Sequence, residues 1–109
     1  MVPQLHPRDL AAALQRLGFE RQAPRRTQGD HLRLIKQLDH PEGKVNLRTQ
    51  IDMGTNPVPT PVLAFIRRQV GLAGSKHWGA LLRAGLEKNV YEAYLMGQKR
   101  ETLLPTWFR

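Results

Sequence analysis

Two stretches of strict alternation, divided by Pro41-Glu42-Gly43, constrain this chain more than any other feature. From Asp30 to Asp39, Leu32, Leu34 and Leu38 fall on one side, with His31, Arg33, Ile35 and Gln37 on the other. From Lys44 to Asp52, Val45, Leu47, Thr49 and Ile51 share a side opposite Asn46, Arg48 and Gln50. A period of two is that of a strand with one buried face. Two such runs joined by a Pro/Gly turn predict a β-hairpin. The apolar faces need cover, so the opposite faces look outward. His31, Arg33, Asn46, Arg48 and Gln50 are therefore expected on one polar, cationic sheet surface, and function is expected there.

The covering elements are legible from their punctuation. Pro7 suits a first helical position, Asp9 complements the positive helix end, and Gly18 suits a carboxyl cap. Leu10, Leu14 and Leu17 lie between them on one face, with Arg8, Gln15 and Arg16 on the wet side. A short strand fits Phe19 to Gln22. After the proline-rich stretch from Gly54 to Pro61, Thr60 is expected to cap a helix starting at Pro61 and stopping at Gly71. Its expected buried stripe is Val62, Phe65, Ile66 and Val70, with Arg67 and Arg68 solvated. The order helix, three strands, helix predicts an α+β sandwich with the helices on one face of an antiparallel sheet. Ser75 is expected to cap a further helix carrying Trp78, Leu81 and Leu82. Asn89, with Glu92 three residues on, is expected to cap another, packing through Val90, Ala93, Tyr94 and Gly97. Leu103, Leu104, Trp107 and Phe108 form an apolar tail that docks either on its own domain or on a partner.

With 109 residues the chain has room for one core. Lysine and arginine number 17 against 9 acids, a net charge of +8 that favours a polyanionic partner, nucleic acid first. Cysteine is absent, which excludes disulfide scaffolds, thiol nucleophiles and cysteine zinc sites. The first residues carry no apolar leader, and no apolar run approaches the roughly 18 residues that span a bilayer. A cytoplasmic protein without membrane contact is the expectation. Ser75, the only serine, reads as a cap rather than a nucleophile. Neither a phosphate-cradling glycine loop nor a paired-histidine metal spacing is present, so no cofactor or metal is expected.

The helix ending Leu17-Gly18-Phe19, the strand opening at Gly29-Asp30-His31, Arg48-Thr49 in the next strand, and the helix ending Arg67-Arg68-Gln69-Val70-Gly71-Leu72 occur in a telling order. Over about residues 6 to 72 the chain resembles the HicA-type, or YcfA-like, toxins of bacterial toxin–antitoxin pairs. The resemblance implies a fold like a double-stranded-RNA-binding domain, α-β-β-β-α, with residues 73–109 as a helical extension on the same domain. It also implies an mRNA-cleaving ribonuclease held by a HicB-like antitoxin protein. Gly29 and His31 match the glycine and catalytic histidine of the family's Gly-Ser-His segment, but Asp30 replaces the serine. Asp52-Met53-Gly54 lacks the histidine of a later polar segment found in many members.

Metal-free RNA cleavage needs a base for the 2′-hydroxyl proton and cations for the phosphate. His31 suits the first role. Arg33, on the same strand face, and Arg48, on the neighbouring strand, suit the second. Arg25, Arg26 and Gly29, in the loop before His31, are further candidates for phosphate contact. His6 reads as a helix-start residue, His40 as a turn residue and His77 as part of a first helical turn. Two other functions remain open: a non-catalytic RNA-binding module of the same fold, and a protein-interaction domain acting through its apolar tail.

Overall fold

A computed structural model describes residues 5–22, 31–54, 57–83 and 85–104. Helix α1 spans Pro7–Arg16, strands β1, β2 and β3 span Glu20–Arg21, His31–His40 and Gly43–Asp52, and helix α2 spans Thr60–Gln69. Helices α3 and α4 follow at His77–Leu82 and Lys88–Met96, and a 3₁₀ turn at Arg100–Leu103. The sheet is antiparallel in the order β1-β2-β3. Among the described residues no helix is long and apolar enough to cross a membrane.

The hairpin forms in the phase the alternation predicts. Leu34, Leu38, Val45, Leu47, Thr49 and Ile51 are buried, and the residues between them on β3 are exposed. His40 pairs with Gly43, which leaves Pro41-Glu42 as a two-residue connection and sets the register down to His31 opposite Asp52. A tight turn of this kind specifies which side chains meet, because a slip of one residue would turn the apolar set toward water. β1 is shorter than expected, since the Phe19 N–H closes the end of α1 on the Leu14 carbonyl at 3.1 Å, although Gln22 still donates to the Arg33 carbonyl at 3.0 Å.

One cluster of buried side chains runs from Leu10 and Leu14 of α1, through the inner sheet face, to Ile66, Trp78, Tyr91 and Leu103. The segment after residue 72 is thus part of the same core. At Gly71 this later segment packs tightly on the chain: at φ +81°, an added Cβ would lie 2.8 Å from Leu95 and 3.0 Å from Leu103. Only glycine satisfies both the backbone and the packing there.

Several helix details differ from the sequence expectation. Helix α2 starts at Thr60 with Pro59 as its cap residue, so the Thr60 hydroxyl does not cap it. Phe65 is 61% exposed, whereas Ile66 and Val70 are buried. The core line of the helix passes through Val62, Leu63, Ile66 and Val70, and Phe65 lies about 100° around from Ile66. The guanidinium of Arg68 sits 5.8 Å above its ring. Ser75 does meet the start of α3, accepting the His77 N–H at 3.0 Å. Helix α4 begins earlier than expected, after Glu87, which places Asn89 inside its first turn. It packs through Tyr91 and Leu95, while Val90, Ala93 and Gly97 are exposed. Contacts from other elements decide that phase: the Tyr91 hydroxyl donates to the Val70 carbonyl at 2.6 Å, and Glu92 faces Lys36.

Candidate nucleic-acid interface

Among the described residues no helix covers the outer sheet face, and its residues follow from register. Going from one end to the other, the cross-strand pairs are His31–Asp52, Arg33–Gln50, Ile35–Arg48, Gln37–Asn46 and Asp39–Lys44. Glu20 of β1 lies opposite Ile35 on the outer side. All of these side chains except Ile35 are exposed, and Ile35 is half-buried at the centre.

The five residues expected to share a surface do share one. His31 and Arg33 are two apart on β2, and Gln50 stands directly opposite Arg33. Arg48 is a diagonal neighbour of Arg33, within reach of a long side chain. It is two cross-strand pairs away from His31, about 13 Å along the strand, so the two do not meet at one phosphate. What faces His31 instead is Asp52, whose Oδ1 accepts the Gly54 N–H at 3.0 Å and holds the turn after β3. Arg25, Arg26, Gly29 and Asp30 lie outside the described residues, as do Trp107 and Phe108 of the tail.

The charge of the face differs from the expectation. Among its described residues Arg33, Lys44 and Arg48 are balanced by Glu20, Asp39 and Asp52. The surface is polar and carries cations in its middle, but it is not cationic as a whole. Two of the acids, Asp39 and Asp52, sit in the end pairs, and Asp52 accepts a backbone N–H of the turn after β3, while Glu20 lies beside the central Ile35.

Sequence reading missed two polar residues on the inner face, Lys36 and His40, and the partner of a third, Thr49. Lys36, only 5% exposed, donates to Glu92 Oε2 at 2.6 Å. His40 is a buried strand residue rather than a turn residue. Its Nε2 donates to the Gln98 carbonyl at 2.7 Å, while Nδ1 accepts the Glu42 N–H at 3.1 Å. Thr49 donates to Gln69 Oε1 at 2.8 Å, joining β3 to α2. The signal was available, because residues 36 and 40 keep the parity of Leu34 and Leu38. A charged or polar group in a buried phase requires a partner from another element. Arg67 was also misjudged as merely solvated. It is half-buried, and its Nε and Nη2 donate to the carbonyls of Leu72 and Ser75 at 3.0 and 3.1 Å. The other two histidines take unremarkable places, His6 exposed ahead of α1 and His77 edge-on to the Tyr94 ring at 5.1 Å.

Comparison with known proteins found no matching family model, no matching curated protein and no matching solved structure. Function therefore has to be read from the residues of the chain itself.

Proposed function

We propose that the outer sheet face binds RNA and that the chain is a metal-independent endoribonuclease of the HicA type, the mRNA-cleaving toxin of a toxin–antitoxin pair acting in the cytoplasm. The observation that supports this most is the pairing of His31 and Arg33 on an exposed strand face that no described helix covers. The order helix, three antiparallel strands, helix also supports a fold like that of a double-stranded-RNA-binding domain, with residues 73–109 as its extension. A HicB-like antitoxin acts in this reading by covering the same face.

In this mechanism the His31 imidazole takes the proton of a ribose 2′-hydroxyl. The 2′ oxygen attacks the adjacent phosphorus, the bond from phosphorus to the 5′ oxygen breaks, and that oxygen receives a proton from the imidazolium. Arg33 holds the oxygens of the reacting phosphate, and Arg48 holds a phosphate farther along the chain. Arg25, Arg26 and Gly29 are assigned to the incoming strand. The products are a 2′,3′-cyclic phosphate and a 5′-hydroxyl.

End-labelled mRNA incubated with the purified protein and a chelator tests this directly. Cyclic-phosphate ends should appear, and His31→Ala should lower the rate by about 10²–10⁴ while the thermal melt stays unchanged. Equal cleavage by wild type and His31→Ala refutes the assignment. One observation favours a second reading, a non-catalytic RNA binder: the carboxylate of Asp52 stands opposite His31, where it repels an incoming phosphate. That reading expects salt-dependent binding and no cleavage by either protein.

A further inference from the structure

On the helical side of the molecule, α2 and α3 enclose an open cleft of about 370 Å³. Leu63, Ala64, Trp78 and Leu82 form its apolar lining, and Arg67, Arg68, Ala73 and Gly74 also line it. No aspartate or glutamate occurs in the chain between Asp52 and Glu87, a stretch that carries Arg67, Arg68, Lys76 and Arg83. Among the described residues neither Arg67 nor Arg68 forms an ion pair. The Arg67 guanidinium is nevertheless held in place. Arg67 is anchored on the carbonyls of Leu72 and Ser75, which leaves further N–H donors over, and Arg68 rests on the Phe65 ring.

An apolar lining beside cations that form no ion pair among the described residues is complementary to an apolar side chain flanked by carboxylates. We propose that this cleft docks an acidic peptide segment of a protein partner, one apolar residue seated against Leu63, Trp78 and Leu82, and its neighbouring carboxylates on Arg67 and Arg68. Nucleic acid fits the cleft less well. Binding to single strands relies on exposed aromatic faces for base stacking; Trp78, the aromatic that lines the cleft, is only 8% exposed, and the exposed Phe65 beside Arg68 is not part of the lining. The cleft lies on the helix layer, which packs on the inner sheet face through Gln69 and Thr49, so it is separate from the His31 face. It therefore stands whether or not the chain cleaves RNA.

The test titrates the isotope-labelled full chain with a pool of short peptides, each with a central Leu, Ile, Phe or Trp between Asp and Glu residues. A matched pool with Asn and Gln in place of the acids serves as comparison. Shifts are expected at the amides of Ala64, Ala73 and Gly74 and at the Trp78 indole, with the acidic pool only. Arg68→Glu should weaken binding about tenfold, and Lys99→Glu, an equal change of charge at another exposed position, should leave it within about twofold. Ala64→Glu, also exposed at the cleft, provides a second variant, and melts of all three verify folding. Equal binding of the Asn/Gln pool, shifts confined to other surfaces, or loss of affinity equal in Lys99→Glu and Arg68→Glu would overturn the proposal. Tighter binding of oligouridylate at these same residues would assign the cleft to nucleic acid instead. Binding seen only after removal of residues 105–109 would assign it to the chain's own tail.

Discussion

The ion pair between Lys36 and Glu92 makes the most quantitative prediction. Its partners are unequal: the lysine side chain is 5% exposed and the glutamate 36%, at a separation of 2.6 Å. Removing one member of a buried pair costs about 3–5 kcal/mol when the other is left charged in a dry site. Glu92→Ala strands the more buried charge, and the opening to solvent around position 92 softens the loss, so about 2–3 kcal/mol is expected. At about 4 °C per kcal/mol for a chain of this size, the melting temperature should fall by about 8–12 °C. Lys36→Met leaves only the better hydrated carboxylate and fills the inner face with an unbranched apolar chain, so it should cost less than about 1 kcal/mol. The double variant should match Lys36→Met, giving a coupling of about 2 kcal/mol. Urea unfolding followed by circular dichroism measures all four proteins. The reasoning fails if Lys36→Met is as damaging as Glu92→Ala, or if Glu92→Ala costs under about 1 kcal/mol, since then the lysine would not depend on its partner.

Two shorter predictions concern the same core. Burial pushes the Tyr91 hydroxyl well above the ordinary tyrosine range, with the nearby Glu92 charge adding to it. Above about pH 10 the unfolded chain therefore loses a proton that the folded chain keeps, and stability should fall by about 1.4 kcal/mol per pH unit. Tyr91→Phe should lack this part of the alkaline slope, at a cost of about 1 kcal/mol at neutral pH for the bond to Val70. Parallel alkaline slopes in the two proteins would contradict this. Phe65→Ser should change stability by no more than about 0.5 kcal/mol, while Ile66→Ala should cost about 2–5 kcal/mol. A loss at Phe65 as large as that at Ile66 in the same denaturation assay would mean that the helix faces have been assigned wrongly.

The elements were legible where local chemistry decides them. Alternation put His31, Arg33, Asn46, Arg48 and Gln50 on one face, Pro7 and Gly18 bounded α1, and Gly71 ended α2. The candidate site was thus readable as a set of residues. Its internal spacing was not. Sequence could not tell that Asp52 rather than an arginine lies across from His31, because that depends on the pairing count from the Pro41-Glu42 connection. The charge balance of the face was missed for the same reason, since Glu20 joins it only through the β1 pairing.

By itself the sequence determined the period of the hairpin strands and the hairpin's two sides, the bounds of α1 and the stop of α2. These follow from backbone geometry and from neighbours within a turn or a strand, which act at short range along the chain. Tertiary structure alone decided the partner of Lys36, the seat of His40 against Gln98, the phase of α4 and the outward position of Phe65. In the first two, the interacting groups lie 56 and 58 residues apart. A buried polar or charged group demands a partner, but only the packed fold determines which distant residue comes near enough to provide it.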